Sequence, residues 1–150
     1  MMIEYEEYLA ATSVAEATQA LANGNVTVVA GGTDLMVQTA ASGRGVGTTL
    51  LNVRRIADLR GVTVDGGRVT IGALTTITDM LTDGVVADTA PVLAETADRF
   101  ASNQIRNMAT VGGNICNASP AGDMIIPLMV LDADVELSSW VDGAVATRTV

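Results

Sequence analysis

The sequence contains no histidine, no lysine and a single cysteine, Cys116. One cysteine cannot close an intrachain disulfide, and with no histidine beside it no zinc or iron–sulfur site can be assembled within the chain. Without histidine no Ser–His or Cys–His nucleophile pair can be built. Ser119 has no base beside it in sequence, so no catalytic residue is assigned. The missing lysine argues against a phosphate loop of the G-x-x-x-x-G-K-[ST] type. No run of eighteen apolar residues occurs, so no membrane span is expected. The opening stretch "MMIEYEEYLA" is acidic where an export signal is basic, so a cytoplasmic location is expected. Net charge is −9, which disfavours nucleic acid as a partner, because a phosphate backbone is met by Lys and Arg.

Aromatic residues make up 3% of the 150 positions while hydrophobic residues reach 49%. The core must therefore be aliphatic, and the chain is long enough to bury one. All eight basic residues are arginine, against 17 acidic ones. An acidic excess without lysine fits a high-salt cytoplasm, where carboxylates hold hydration. A GC-rich genome preferring arginine codons accounts for the same bias, and both readings stay open.

Strand and helix signals alternate along the chain, the mark of an α+β or α/β arrangement. Ser13 opens a capping box with Glu16 and starts a helix over 13–23, stopped by Gly24. "VTVVA" (26–30) reads as a buried strand ending at Gly31-Gly32. "TDLMVQTA" (33–40) reads as a helix capped by Thr33 or Asp34. A glycine-rich loop (41–47) and a strand (48–53) follow. Residues 61–73 alternate around Asp65-Gly66-Gly67, a hairpin signal. Helices are expected over 75–83, over 90–102 with Pro91 in the first turn, and over 123–133. Asp123 is the expected cap of the last, with Pro127 in its first turn or at a kink. Strands are expected at 134–140 and from 144 onward, with no stop signal before Val150. By default Cys116 is a small buried residue, Phe100 and Met124, Leu128 and Met129 are core, and Arg106 is a surface or capping arginine.

Two glycine pairs stand out, "VVAGGTDL" (28–35) and "ATVGGNICNASPAGD" (109–123). Glycine permits positive φ and close approach of a ligand. Successive main-chain N–H groups can then converge on an anion, and a diphosphate at a helix N-terminus is the frequent case. "AGGTDL" follows a strand and opens a helix. "TVGGN" follows an apolar run, but its helix is expected to start later. Neither stretch fits G-x-G-x-x-G. On residues alone, a diphosphate-containing cofactor and a pair of ordinary turns are both open. Any redox or transfer chemistry would come from such a cofactor.

Together "VVAGGTDLM", "IGALTTITDM" and "PVLAETADRFASNQIRNMATVGGNICNASPAGDMIIPLMVLDADVEL" resemble the flavin subunit of the molybdenum hydroxylases, which include aerobic carbon monoxide dehydrogenase and xanthine dehydrogenase. The resemblance runs from about residue 3 to the end. It implies an α+β chain of α/β subdomains, the FAD-binding fold of the PCMH type. Residues 1–56 would form the N-terminal subdomain and 57–150 a second subdomain, incomplete at its C-terminus. It implies that Val28, Val29, Ala30, Gly31, Gly32, Thr33, Asp34 and Leu35 hold the FAD diphosphate. Thr110, Val111, Gly112, Gly113 and Asn114 would form the second diphosphate-binding segment, with Phe100 against the cofactor and Asp123 a polar contact. The FAD would be noncovalent.

The same resemblance implies partners: a large subunit carrying the molybdenum cofactor and a small subunit carrying 2Fe-2S clusters. Electrons would pass from those clusters through FAD to an acceptor, so this chain would be an oxidoreductase component, not catalytically complete alone. Family flavin subunits are about twice as long. A truncated gene, an expressed fragment and a split subunit completed by another chain all fit that difference. Two other functions compete: a docking module that has lost FAD, and another flavin oxidoreductase of the same broad fold.

Overall fold

The computed structural model describes residues 5–42 and 46–150. By contact the chain divides into two compact units. One runs up to Asp58 and takes in Asp134–Val150; the other is Leu59–Ala133. The segment 134–150, grouped in sequence with 57–133, therefore packs with the first unit.

The first unit is built on a three-stranded parallel sheet in the order β1-β3-β2, with β1 Glu7–Ala10, β2 Val26–Val29 and β3 Thr49–Asn52. Leu51 of β3 stands opposite Leu9 on one side and Val28 on the other. The central strand is the buried one: Leu50 and Leu51 lie in the core. β2, expected to be buried, is an edge strand and half-exposed, with Val28 on the surface. Among the described residues its β-branched residues pair with β3 on one side only.

Helix α1, Val14–Ala22, begins as the sequence implies, with the Ser13 hydroxyl accepting the Glu16 N–H at 3.2 Å. The return bond differs from the expected capping box. The Glu16 carboxylate accepts the Thr12 N–H at 2.7 Å and the Thr12 hydroxyl at 2.9 Å instead. Helix α2, Leu35–Ser42, extends into the expected 41–47 loop, of which 43–45 fall outside the described residues. The last strands, β6 Glu136–Val141 and β7 Ala144–Thr149, form an antiparallel hairpin that packs on α1.

The second unit opens with the expected hairpin, β4 Val62–Asp65 and β5 Arg68–Ile71. Its turn residues Gly66 and Gly67 have φ of +54° and +81°. Both values are positive, as in the turn whose twist matches that of the flanking strands. Six short helices follow: α3 Ile77–Thr82, α4 Gly84–Thr89, α5 Pro91–Arg99, α6 Asn103–Arg106, α7 Val111–Asn117 and α8 Ile125–Val130. Thr76 and Asp79 close a reciprocal capping box on α3. Asp83 ends α3 and caps α4, accepting the N–H groups of Val85 and Val86. Their core is aliphatic as composition required: Ile77, Met80, Val86, Leu93, Val111 and Met124 pack together, joined by Phe100. Helices α4, α6 and α7 have no counterpart in the sequence reading, and α5 stops three residues short of the expected end. Each of the three missed helices spans seven residues or fewer, too short to develop a helical apolar period.

Candidate functional site

The two glycine pairs fall in different units and have different local structures. The first follows β2 directly. Val29 ends the strand, and its carbonyl accepts the Val53 N–H at 3.1 Å. The chain then turns through Gly32, whose φ is +72°. The Gly32 carbonyl receives the Met36 N–H and the Asp34 carbonyl the Gln38 N–H, which sets α2 in motion from this turn. Space is not what demands glycine at 32: an added Cβ would meet Val29 and Met36 side chains at an ordinary 3.6 Å. The backbone conformation demands it.

The main-chain N–H groups of Gly31, Gly32, Thr33 and Asp34 donate to no acceptor among the described residues. Four successive donors without partners among the described residues, one at positive φ, stand at the start of a helix, where unpaired N–H groups can receive an anion. The helix dipole adds to it. Unpaired main-chain N–H groups are the donor type that phosphate oxygens accept from.

The second pair is not a nest, which corrects the sequence reading. Its helix does not start later: α7 begins at Val111, with Thr110 as its cap. Gly112 and Gly113 lie in its first turn, with neither φ in the positive range. Every N–H from 111 to 114 already has an acceptor. Val111 donates to Thr75 O, Gly112 to Ala73 O, Gly113 to Thr110 Oγ1 and Asn114 to Thr110 O, at 2.9–3.1 Å. Gly112 is required by packing, since an added Cβ would stand 2.8 Å from both Ala73 Cβ and Ala73 O. Gly113 is exposed and leaves the end of α7 smooth.

The remaining expected site residues lie in this second unit. Phe100 is buried in the core and caps the end of α5. Arg106 holds that end as a capping arginine. One guanidinium nitrogen donates to the carbonyls of Asp98 and Phe100, both at 2.9 Å, and the other to the Asn103 side chain. The Asn114 carboxamide oxygen accepts the Met124 N–H at 3.1 Å. Asp123 does not cap α8, because that helix starts two residues later and has no side-chain cap. Its carboxylate is exposed and has no hydrogen-bond partner among the described residues.

Two further expectations about this region change. Cys116 is exposed rather than buried, and Met129, expected in the core, is exposed with Ile126 and Val130 on α8. Pro127 sits in the first turn of α8 and is buried, so it kinks nothing. Among the described residues no group of three or more His, Cys, Asp or Glu is placed to hold a metal ion, and no helix is long and apolar enough to cross a membrane.

The model of one protein family, the FAD binding domain in molybdopterin dehydrogenase, matches residues 3–144. The xanthine dehydrogenase FAD-binding subunit of Escherichia coli O157:H7 is 34% identical over 140 residues, covering 92% of this chain and 48% of that protein. The carbon monoxide dehydrogenase medium chain of Hydrogenophaga pseudoflava is 36% identical over 101 residues, 67% of this chain and 34% of that one. The solved structure of reconstituted CO dehydrogenase from Oligotropha carboxidovorans matches with a TM-score of 0.89 at 29% identity, over 99% of this chain and 52% of that one. The chain thus spans about half the length of the xanthine dehydrogenase subunit and half of that solved chain, and no more of the medium chain.

Proposed function

We propose, for a chain that belongs to the family of the FAD binding domain in molybdopterin dehydrogenase, that it holds FAD noncovalently as the electron-transferring flavin component of a molybdenum hydroxylase. The observation that carries the reading is the row of four N–H groups at Gly31–Asp34 without partners among the described residues. Within Val28–Leu35 they would take the diphosphate oxygens, where the N-terminus of α2 favours negative charge.

The second unit contributes differently. With its N–H groups committed, the Thr110–Asn114 segment would offer a smooth glycine surface at Gly113 for close approach. The Thr110 hydroxyl, which accepts from Gly113, keeps its own proton free to donate. Asp123 would accept from a ligand hydroxyl or ring N–H. Phe100 would act from the core, shaping the wall against which the cofactor rests. Bound FAD supplies redox chemistry that this chain's own side chains lack.

Iron–sulfur clusters and the molybdenum cofactor would sit on a small and a large partner subunit, and the chain would not be catalytically complete alone. The proposed setting is cytoplasmic. The names of two relatives, a FAD-binding subunit and a medium chain, support the assignment to a multi-subunit enzyme.

The test is direct. Purified protein, loaded with FAD if necessary, is expected to show flavin absorption and to release FAD on denaturation. Gly32→Val should lose FAD while keeping its far-UV circular dichroism, because φ of +72° is forbidden to a β-branched residue. Absence of flavin from the wild type after reconstitution would favour a docking module instead.

A further inference from the structure

We propose, on the reading of Gly31–Asp34 as the diphosphate site, that Arg55 supplies the positive charge that this diphosphate needs.

Neutral N–H groups can hold phosphate oxygens but do not cancel their charge. The segment around the glycine turn brings no cation. Residues 28–42 contain no basic residue, and Asp34 adds a negative one. The chain has no lysine, so any counter-charge must be an arginine. The arginines of the first unit are Arg44, which lies outside the described residues, Arg54, Arg55 and Arg148. Arg148 belongs to β7, in the hairpin that packs on α1. Arg54 and Arg55 follow β3, the strand beside β2.

Main-chain hydrogen bonds fix where these two arginines stand. β2 and β3 run parallel with Val29 opposite Asn52, so both leave the sheet at its carboxyl edge. Parallel sheets receive their ligands outside that edge. The Val53 N–H donates to the Val29 carbonyl at 3.1 Å and carries the pairing one step past both strands, to the mouth of the glycine turn. The Ile56 N–H then donates to the Val53 carbonyl at 3.1 Å, closing a turn with Arg54 and Arg55 as its central residues. This turn is anchored from three sides. Ile56 is fully buried. The Asn52 carboxamide oxygen accepts the Arg54 N–H at 2.9 Å, and its nitrogen donates to the Tyr8 hydroxyl on β1 at 2.7 Å.

Arg54 has a further interaction within the chain. Arg55 is exposed, and neither its N–H nor its guanidinium has a partner among the described residues. A guanidinium takes phosphate oxygens in pairs. An uncommitted one on an anchored turn, one strand away from a row of uncommitted N–H groups, is preorganised for a dianion.

FAD affinity is measured by flavin fluorescence titration, at low and at high salt, on the wild type, Arg55→Gln, Arg55→Lys and Arg54→Gln. Circular dichroism checks that each variant is folded. At low salt Arg55→Gln should weaken binding about tenfold, the scale of one charged hydrogen bond. The gap to the wild type should narrow at high salt, which screens an exposed charge pair. Arg55→Lys, which keeps the charge, should lose less than Arg55→Gln, and so should Arg54→Gln. Three outcomes overturn the role of Arg55 and leave the FAD reading intact: unchanged affinity in Arg55→Gln, a loss that ignores salt and is not restored by lysine, or a loss at least as large in Arg54→Gln. A wild type that takes up no FAD would overturn both.

Discussion

Gly112 and Ala73 touch so closely that no side chain fits between them: a Cβ on Gly112 would lie 2.8 Å from the Ala73 carbonyl oxygen, which already accepts the Gly112 N–H at 2.9 Å. The contact seats the first turn of α7 against the segment leading into α3. Gly113, next in sequence, meets nothing closer than the Thr110 hydroxyl at 2.9 Å. Two adjacent glycines of one motif therefore have different duties.

The first prediction follows from that difference. Gly→Ala within a helix gains about 1 kcal/mol of propensity. At 112 the gain is outweighed by overpacking against main chain, about 1–3 kcal/mol, so Gly112→Ala should lower stability in urea denaturation. At 113 the neighbour is a hydroxyl cap worth about 1 kcal/mol, and gain and loss should nearly cancel. Equal destabilisation by both would show that Ala73 is not the constraint.

The second prediction concerns acid. The Thr12 N–H, and after it the Thr12 hydroxyl, hold the Glu16 carboxyl below the usual glutamate range. A folded value below the unfolded one stabilises the protein above the ordinary glutamate pKa. That contribution is lost as pH falls through the lowered value. Melting temperature of the wild type should exceed that of Glu16→Gln at neutral pH, with the gap closing in acid. A gap independent of pH would sink this account.

A third outcome concerns salt. Net charge of −9 repels itself in the compact state, and salt screens that repulsion. The melting temperature should rise from low to molar salt. No change would count against the high-salt reading of the composition and favour codon bias.

What the residues disclosed beforehand follows a physical divide. Where a local signal decides, the sequence was readable: the Gly66-Gly67 turn, the Thr76–Thr82 helix start, Pro91 at the head of α5 and the glycine turn after β2 all depend on neighbours within four positions. The start of α7 was placed too late because Gly112 answers to Ala73, remote in sequence. Positive φ and tight packing leave the same letter in the chain. Asp123 looked like a cap because α8 was expected two residues too early. Cys116 and Met129 were placed inside on composition, while the helical face that exposes them is set by which side of α7 and α8 meets Met124 and Val111.

The split course of the first unit has a consequence for synthesis. Its parallel sheet leaves the ribosome early, but the β6–β7 hairpin that covers α1 is made only after all of Leu59–Ala133. Until then α1 presents an uncovered flank, while the second unit, continuous in sequence and rich in short-range contacts, has everything needed to collapse. The order of birth along the chain thus runs opposite to the order of completion: the unit begun first is finished last.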